Sequence, residues 1–323
     1  LLESSKQLAD HTALIKDLTH RFADRLRDEG VEESYIIDAI KKVSLESMEN
    51  VLSGNEPLKI ERESEKSDFE DLVDQMQSPG EEVQKIQRSY SFAFDDQLLN
   101  LDVYVPEGDG PFPSILVVHG GAWRLGSKGQ LAIYARSLAK RGYTCFAINY
   151  RLAPKFKSPA QTEDCRDAIR WIRTNASKYK ANPDLIGAMG YSAGGHLVSM
   201  LATTGLPKES DPKGIGTKIV AAVAGGAPTD FRTVRKKSNA LSYWLGADRN
   251  TEPEAYEADS PNAFVDKGDS PIFFYNGSAD LMVHPDKHPM FGFRGPIALY
   301  ESLKKVNVDT DLYIGKGAGH IAM

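Results

Sequence analysis

The chain has 323 residues, a formal net charge of −6, 41% hydrophobic and 26% charged side chains, which suits a globular protein with one large core and an accessory element. No apolar run approaches the roughly 20 residues that span a bilayer as a helix, and two cysteines are too few for a disulfide framework or a zinc pattern. Residues 1–80 carry 19 acidic and 10 basic side chains against 26 and 29 in the remainder; this acidic segment is compositionally separate, and it argues against nucleic-acid binding, which needs clustered Lys and Arg.

From Ser5 to Arg27, apolar residues recur at Leu8, Leu14, Ile15, Leu18, Phe22 and Leu26, close to helical spacing. Gly30 interrupts, and a second helical pattern follows through Val31, Tyr35, Ile36, Ile40 and Val43. The pair reads as a helical N-terminal extension over residues 1–80, with three uses open: docking for stability, a cap over a site, or a partner-binding surface. Residues 81–323 read as the second domain. There, Gln84 to Ala93 and Leu98 to Val105 predict an antiparallel start, and further strands are expected near Ile115, Cys145, Ile186, Val220, Ile272 and Leu312. Helices are expected around Gln130 to Arg141, Thr162 to Tyr179, Gly195 to Thr203 and Pro296 to Val306. Such alternation predicts an α/β fold, a mostly parallel sheet with helices on both faces and a site beyond the carboxyl ends of the strands. Cys145 falls in a strand and Cys165 in a helix, so both are expected as free, buried thiols.

Three strand ends carry chemistry. The run Leu185 to Met189 opens into Gly190-Tyr191-Ser192-Ala193-Gly194, a G-x-S-x-G between a strand and a helix. In that context the glycines permit a sharp turn that holds the serine in a strained conformation with its hydroxyl exposed, as a nucleophile requires. Upstream, Ser114 to Val118 ends in His119-Gly120-Gly121-Ala122-Trp123. A serine attacks a carbonyl only if a base takes its proton and the resulting oxyanion is stabilised. Downstream, Pro271 to Tyr275 opens into Asn276-Gly277-Ser278-Ala279-Asp280, and Asp311 to Ile314 runs into a glycine-rich loop ending at His320. Asp280 is the expected acid and His320 the expected base; Asp230 also follows an apolar strand and is the alternative acid, expected instead to anchor a loop or border the pocket.

His119 is expected to hold its loop by hydrogen bonds, and His196 to be buried structure. Trp123, Trp244 and Phe291 are candidate pocket walls. The spacing His284-x-Asp286-x-His288 is interrupted by prolines and lacks a compact fourth ligand, so no metal site is expected, and no cofactor is implied.

These motifs, in this order, resemble the α/β-hydrolase esterase/lipase group related to hormone-sensitive lipase and carboxylesterases, over about residues 83 to 323. Asn149-Tyr150-Arg151-Leu152-Ala153-Pro154 and the helix Asp164 to Trp171 resemble further stretches of that group. The resemblance implies the α/β-hydrolase fold, a triad of Ser192, Asp280 and His320, and an oxyanion hole from the N–H groups of Gly121, Ala122 and Ala193. It implies hydrolysis of a small-molecule carboxylic ester with small to medium acyl groups; the alternatives are a prolyl-oligopeptidase-type peptidase and a catalytically silent ligand-binding protein. Two departures stand out. The oxyanion motif reads HGGAW rather than HGGG, an alanine expected to present its N–H from an ordinary φ, and residues 284–296 look like an inserted loop.

Overall fold

The computed structural model describes residues 84–91, 98–236 and 238–320. The helical patterns of residues 1–80 lie outside the described residues.

Eight strands form one sheet: β1 (Gln84–Ser91), β2 (Leu98–Val105), β3 (Phe112–Val118), β4 (Thr144–Ile148), β5 (Ala181–Tyr191), β6 (Ala222–Gly225), β7 (Ile272–Gly277) and β8 (Thr310–Gly315). Their order across the sheet is β1-β2-β4-β3-β5-β6-β7-β8. The β1–β2 and β2–β4 pairs are antiparallel and all others parallel. This is the mostly parallel α/β sheet that the alternation of elements predicts. Between the strands run α1 (Ala132–Lys140), α2 (Ala160–Asn175), α3 (Ala193–Thr204), α4 (Ser242–Leu245), α5 (Pro253–Ala258) and α6 (Pro296–Lys305).

Strand alternation sorts side chains onto two apolar faces. Leu101, Val103, Leu116, Val118, Phe146 and Ile148 join the core containing Cys165, Ile169 and Ile172 of α2 and Leu197, Val198 and Leu201 of α3. Their neighbours Tyr104, Val117, Cys145 and Ala147 face the other way, against Leu131, Ala135 and Ala139 at α1. Burial on both faces makes the central strands read as continuous apolar runs, because no polar face is left to break them. Cys145 and Cys165 are free and buried, as expected.

Two details differ from expectation. The sixth strand begins at Ala222, where pairing with Ile272 starts, and Val220 lies outside it, 46% exposed. The short helices α4 and α5 were not anticipated, since 4 and 6 residues are too few for a helical period to register.

Candidate active site

The carboxyl ends of β3, β5, β7 and β8 lie along one edge of the sheet, and each carries one motif. At β5 the chain turns into α3 through Ser192, whose φ of 56° and ψ of −121° are unfavourable for a residue with a side chain. The flanking glycines are required by contact rather than by flexibility alone. A Cβ on Gly190 would lie 2.3 Å from the Gly194 carbonyl oxygen, and one on Gly194 would lie 2.1 Å from that of Val118. The turn is held by the Ser192 N–H donating to the Gly225 carbonyl at 2.8 Å and the His196 N–H donating to the Ser192 carbonyl at 3.0 Å.

His320 Nε2 stands 3.0 Å from Ser192 Oγ, and His320 Nδ1 stands 2.7 Å from Asp280 Oδ2. The three side chains come from positions 192, 280 and 320, and parallel pairing brings the last two together. The β7–β8 ladder runs to Gly277 opposite Gly315, and beyond it Ser278 N donates to Gly315 O (2.9 Å) and Ala279 N to Ala318 O (3.0 Å). The Asp280 carboxylate is fully buried, and Oδ1 accepts the N–H groups of Met282 (2.9 Å) and Val283 (2.8 Å). With Oδ1 committed, Oδ2 faces the imidazole, so the Nδ1–H tautomer is favoured and Nε2 is left as acceptor for the serine proton. Asn276 Nδ2 also reaches Asp280 Oδ2, at 3.4 Å, and donates to the Val283 carbonyl at 3.1 Å, bracing the loop. Asp230, the alternative acid, is instead held by Arg232 (Nη2–Oδ2 2.7 Å) and Asn262 (Nδ2–Oδ2 3.0 Å), and anchors its loop.

The turn after β3 fixes three successive peptide planes. The Gly120 carbonyl accepts from His119 Nδ1 at 2.7 Å, the Gly121 carbonyl from the N–H groups of Arg124 (3.0 Å) and Leu125 (2.9 Å), and the Ala122 carbonyl from Tyr243 Oη at 2.9 Å. A pinned carbonyl fixes the N–H of the next residue, so the first two bonds aim the N–H groups of Gly121 and Ala122. Among the described residues neither these nor the Ala193 N–H donates to a backbone carbonyl. Ala122 departs from the ordinary φ expected of it. Gly121 (φ 115°), Ala122 (φ 49°) and Trp123 (φ 58°) all have positive φ, so the turn that returns the Arg124 and Leu125 N–H groups to the Gly121 carbonyl is a left-handed one.

His119 has the holding role expected of it, and its ring stacks on Tyr150 at 4.1 Å. Tyr150 in turn donates to the His119 carbonyl at 3.1 Å. The stretches Asn149 to Pro154 and Asp164 to Trp171 meet behind this turn: Arg151 Nε donates to Asp164 Oδ1 at 2.9 Å, and Ala153 N donates to the Trp123 carbonyl at 2.9 Å.

Trp123 and Trp244, expected as pocket walls, are core residues. They are 4% and 0% exposed and stack at 3.6 Å with an interplanar angle of 3°, packed edge-on to Phe231. The Trp123 indole N–H donates to His196 Nδ1 at 3.2 Å, and His196 Nε2 donates to the Asp259 carbonyl at 2.7 Å, the buried structural role expected of that histidine. Phe291 stacks on His288 at 4.7 Å. The Nδ1 atoms of His284 and His288 accept backbone N–H groups, while Asp286 pairs with Arg294. No group of acidic, Cys or His side chains that could hold a metal ion occurs among the described residues.

Burial holds His119 and His196 neutral, each lowered to about 4, while burial raises Asp259 to about 6. The signs oppose. Each histidine binds protons more weakly folded than unfolded, so its stability contribution is complete above about 6.5 and is lost as pH falls toward 4. Asp259 binds its proton more tightly folded, so its contribution grows as pH falls through 6. Asp259→Asn keeps the amide oxygen for Ser158, which donates to the carboxylate, but removes this offset. Thermal unfolding is expected to show the variant losing about 2 kcal/mol more than wild type between pH 6.5 and 4.5; equal losses would contradict the opposed titrations.

Residues 101–291, more than half of the chain, match the model of the BD-FAE family. The chain is 31% identical over 183 residues to a probable carboxylic ester hydrolase, LipM, of Mycobacterium tuberculosis, covering 54% of this chain and 42% of that protein. It is 28% identical over 222 residues to Esterase LipC of the same organism, covering 65% and 53% respectively. The chain thus spans about half the length of these relatives. Among solved structures, Thermogutta terrifontis esterase 2 superposes with a TM-score of 0.59 at 26% identity, covering 75% of this chain and 84% of that one, and is also known with butyrate bound.

Proposed function

From the membership of this chain in the BD-FAE family, with its α/β-hydrolase fold of the esterase/lipase type, we propose that the protein hydrolyses carboxylic esters of small to medium acyl groups through an acyl-enzyme on Ser192. The observation that carries this reading is the unbroken relay Ser192 Oγ to His320 Nε2 (3.0 Å) and His320 Nδ1 to Asp280 Oδ2 (2.7 Å). It stands beside a turn in which the N–H groups of Gly121 and Ala122 donate to no backbone carbonyl among the described residues.

Ser192 Oγ adds to the ester carbonyl carbon as its proton passes to His320 Nε2. The carbonyl oxygen becomes an oxyanion, received by the N–H groups of Gly121, Ala122 and Ala193. Collapse expels the alcohol, protonated by Nε2, and leaves the acyl group on Ser192. Water then gives a proton to Nε2 as it attacks the acyl carbon, and when the second tetrahedral intermediate collapses the bond to Ser192 Oγ breaks, Nε2 returns the proton to that oxygen and the acid departs. Asp280 remains ionised throughout and stabilises the imidazolium. The relay is complete within this chain, which favours hydrolysis over a silent ligand-binding role. Butyrate bound to the Thermogutta terrifontis esterase supports the acyl size. Among the described residues no helix is long and apolar enough to cross a membrane.

A p-nitrophenyl ester series from acetate to long acyl chains tests the reading, together with an organophosphate probe followed by peptide mass analysis. Turnover is expected to be highest for short and medium chains, with the phosphorus adduct on Ser192. A folded protein that neither turns over esters nor takes the adduct overturns the activity; a maximum at long chains overturns the acyl size alone.

A further inference from the structure

Two consecutive residues of the turn after β3, Ala122 and Trp123, hold positive φ values of 49° and 58°. Neither is a glycine, so each is disfavoured there unless other contacts impose the conformation. The contacts come from two consecutive residues of α4, about 120 positions downstream. Tyr243 Oη donates to the Ala122 carbonyl at 2.9 Å, and the Trp244 ring lies flat on that of Trp123 at 3.6 Å. The helix that supplies both is itself tied down. Lys157 Nζ donates to the Tyr243 carbonyl at 2.7 Å, Ser158 N to the Trp244 carbonyl at 2.9 Å, and Trp244 Nε1 to Gln161 Oε1 at 3.0 Å. Arg124, one of the donors that pin the Gly121 carbonyl, places its guanidinium 5.0 Å above the Tyr243 ring.

We infer that α4 is a clamp for the oxyanion turn and that Tyr243 is a positioning residue for hydrolysis, acting through Ala122; this rests on the esterase reading given above. The hydroxyl closes a gap in the lacing of the turn. The Gly120 carbonyl is held by His119 and that of Gly121 by the chain ahead, but the carbonyl of Ala122, on the far side of its proposed donor N–H, is held by Tyr243. With both peptide planes flanking Ala122 fixed, its φ and ψ are fixed and the N–H is held where it points. Without the hydroxyl the plane between Ala122 and Trp123 can rotate toward an ordinary φ, which shifts the Arg124 and Leu125 N–H groups that pin the Gly121 carbonyl and so turns the Ala122 N–H. The loss falls on the transition state, where the oxyanion is fully developed, more than on the bound ester.

The test is Tyr243→Phe, which keeps the ring and removes the hydroxyl, beside Thr144→Val. Thr144 is a buried residue at the amino end of β4, and its hydroxyl donates to the Tyr179 carbonyl at 3.3 Å, at the end of the sheet away from the turn. For a p-nitrophenyl ester, Tyr243→Phe is expected to lower kcat about tenfold with KM within about twofold. Affinity for a trifluoromethyl ketone, whose adduct with Ser192 carries an oxyanion, is expected to weaken by the same factor. Thr144→Val is expected to lower the unfolding temperature while leaving kcat and ketone affinity in place. Unchanged kcat in Tyr243→Phe, or equal kcat losses in the two variants, overturns the clamp while the esterase reading stands. A wild type that neither cleaves the ester nor binds the ketone overturns that reading and the clamp with it.

Discussion

Ser192→Ala, His320→Ala and the double variant are each expected to lower kcat for a p-nitrophenyl ester by a similar factor, on the order of 10⁶, because a relay that has lost one member has lost its function. If the two side chains acted independently, the double variant would fall by the product of the single losses. Its measured kcat therefore decides whether they form one unit, as the 3.0 Å separation of Ser192 Oγ and His320 Nε2 implies. Asp280→Asn is expected to fall less, by about 10⁴. The reason is local. Oδ1 accepts two backbone N–H groups, from Met282 and Val283, so an amide at this position must present its oxygen to them and its NH₂ toward His320. An NH₂ facing Nδ1 favours the tautomer with the proton on Nε2, and the serine loses its acceptor. Asp230→Asn is expected to leave kcat nearly unchanged, since Arg232 and Asn262 hold that carboxylate. A large loss there with a small one at Asp280 would reverse the assignment.

How much of this was legible in the sequence depended on whether chemistry and conformation sat in consecutive residues. Ser192 was readable because the nucleophile and the glycines that its turn needs lie within five residues. Asp280 and His320 were readable from strand order, since parallel β7 and β8 bring their following loops together. The sign of φ at Ala122 is not readable: the hand of the turn is supported by contacts from far along the chain, Tyr243 among them, and alanine carries no mark of them. Trp123 and Trp244 read as pocket walls because an aromatic ring fits a wall and a core equally well; their burial and their stacking at 3.6 Å distinguish the two. Asn276 stands in the same motif as Asp280, but its bracing of the Asp280 loop depends on which way its side chain turns.

Gly121→Ala is expected to lower kcat by about 10² to 10³, the loss associated with removing an oxyanion donor. The φ of 115° excludes a residue with a side chain, and a Cβ here would lie 2.2 Å from the Leu125 carbonyl oxygen, so the backbone itself must move. That movement breaks the return of the Arg124 and Leu125 N–H groups to the Gly121 carbonyl, the contact that aims the Ala122 N–H. The neighbouring substitution separates this effect from a general weakening of the turn. At Ala122, with φ 49°, glycine relieves the left-handed strain, which costs about 1 to 2 kcal/mol for a residue with a Cβ, and adds some freedom to the unfolded chain. Ala122→Gly keeps the N–H and the carbonyl held by Tyr243, so kcat is expected to stay within about threefold of wild type. Adjacent exchanges of one methyl group would then differ by about two orders of magnitude, with unfolding temperatures showing whether each variant is folded. If a folded Gly121→Ala kept wild-type kcat, the oxyanion would have to be received elsewhere, and the assignment of these N–H groups would fall.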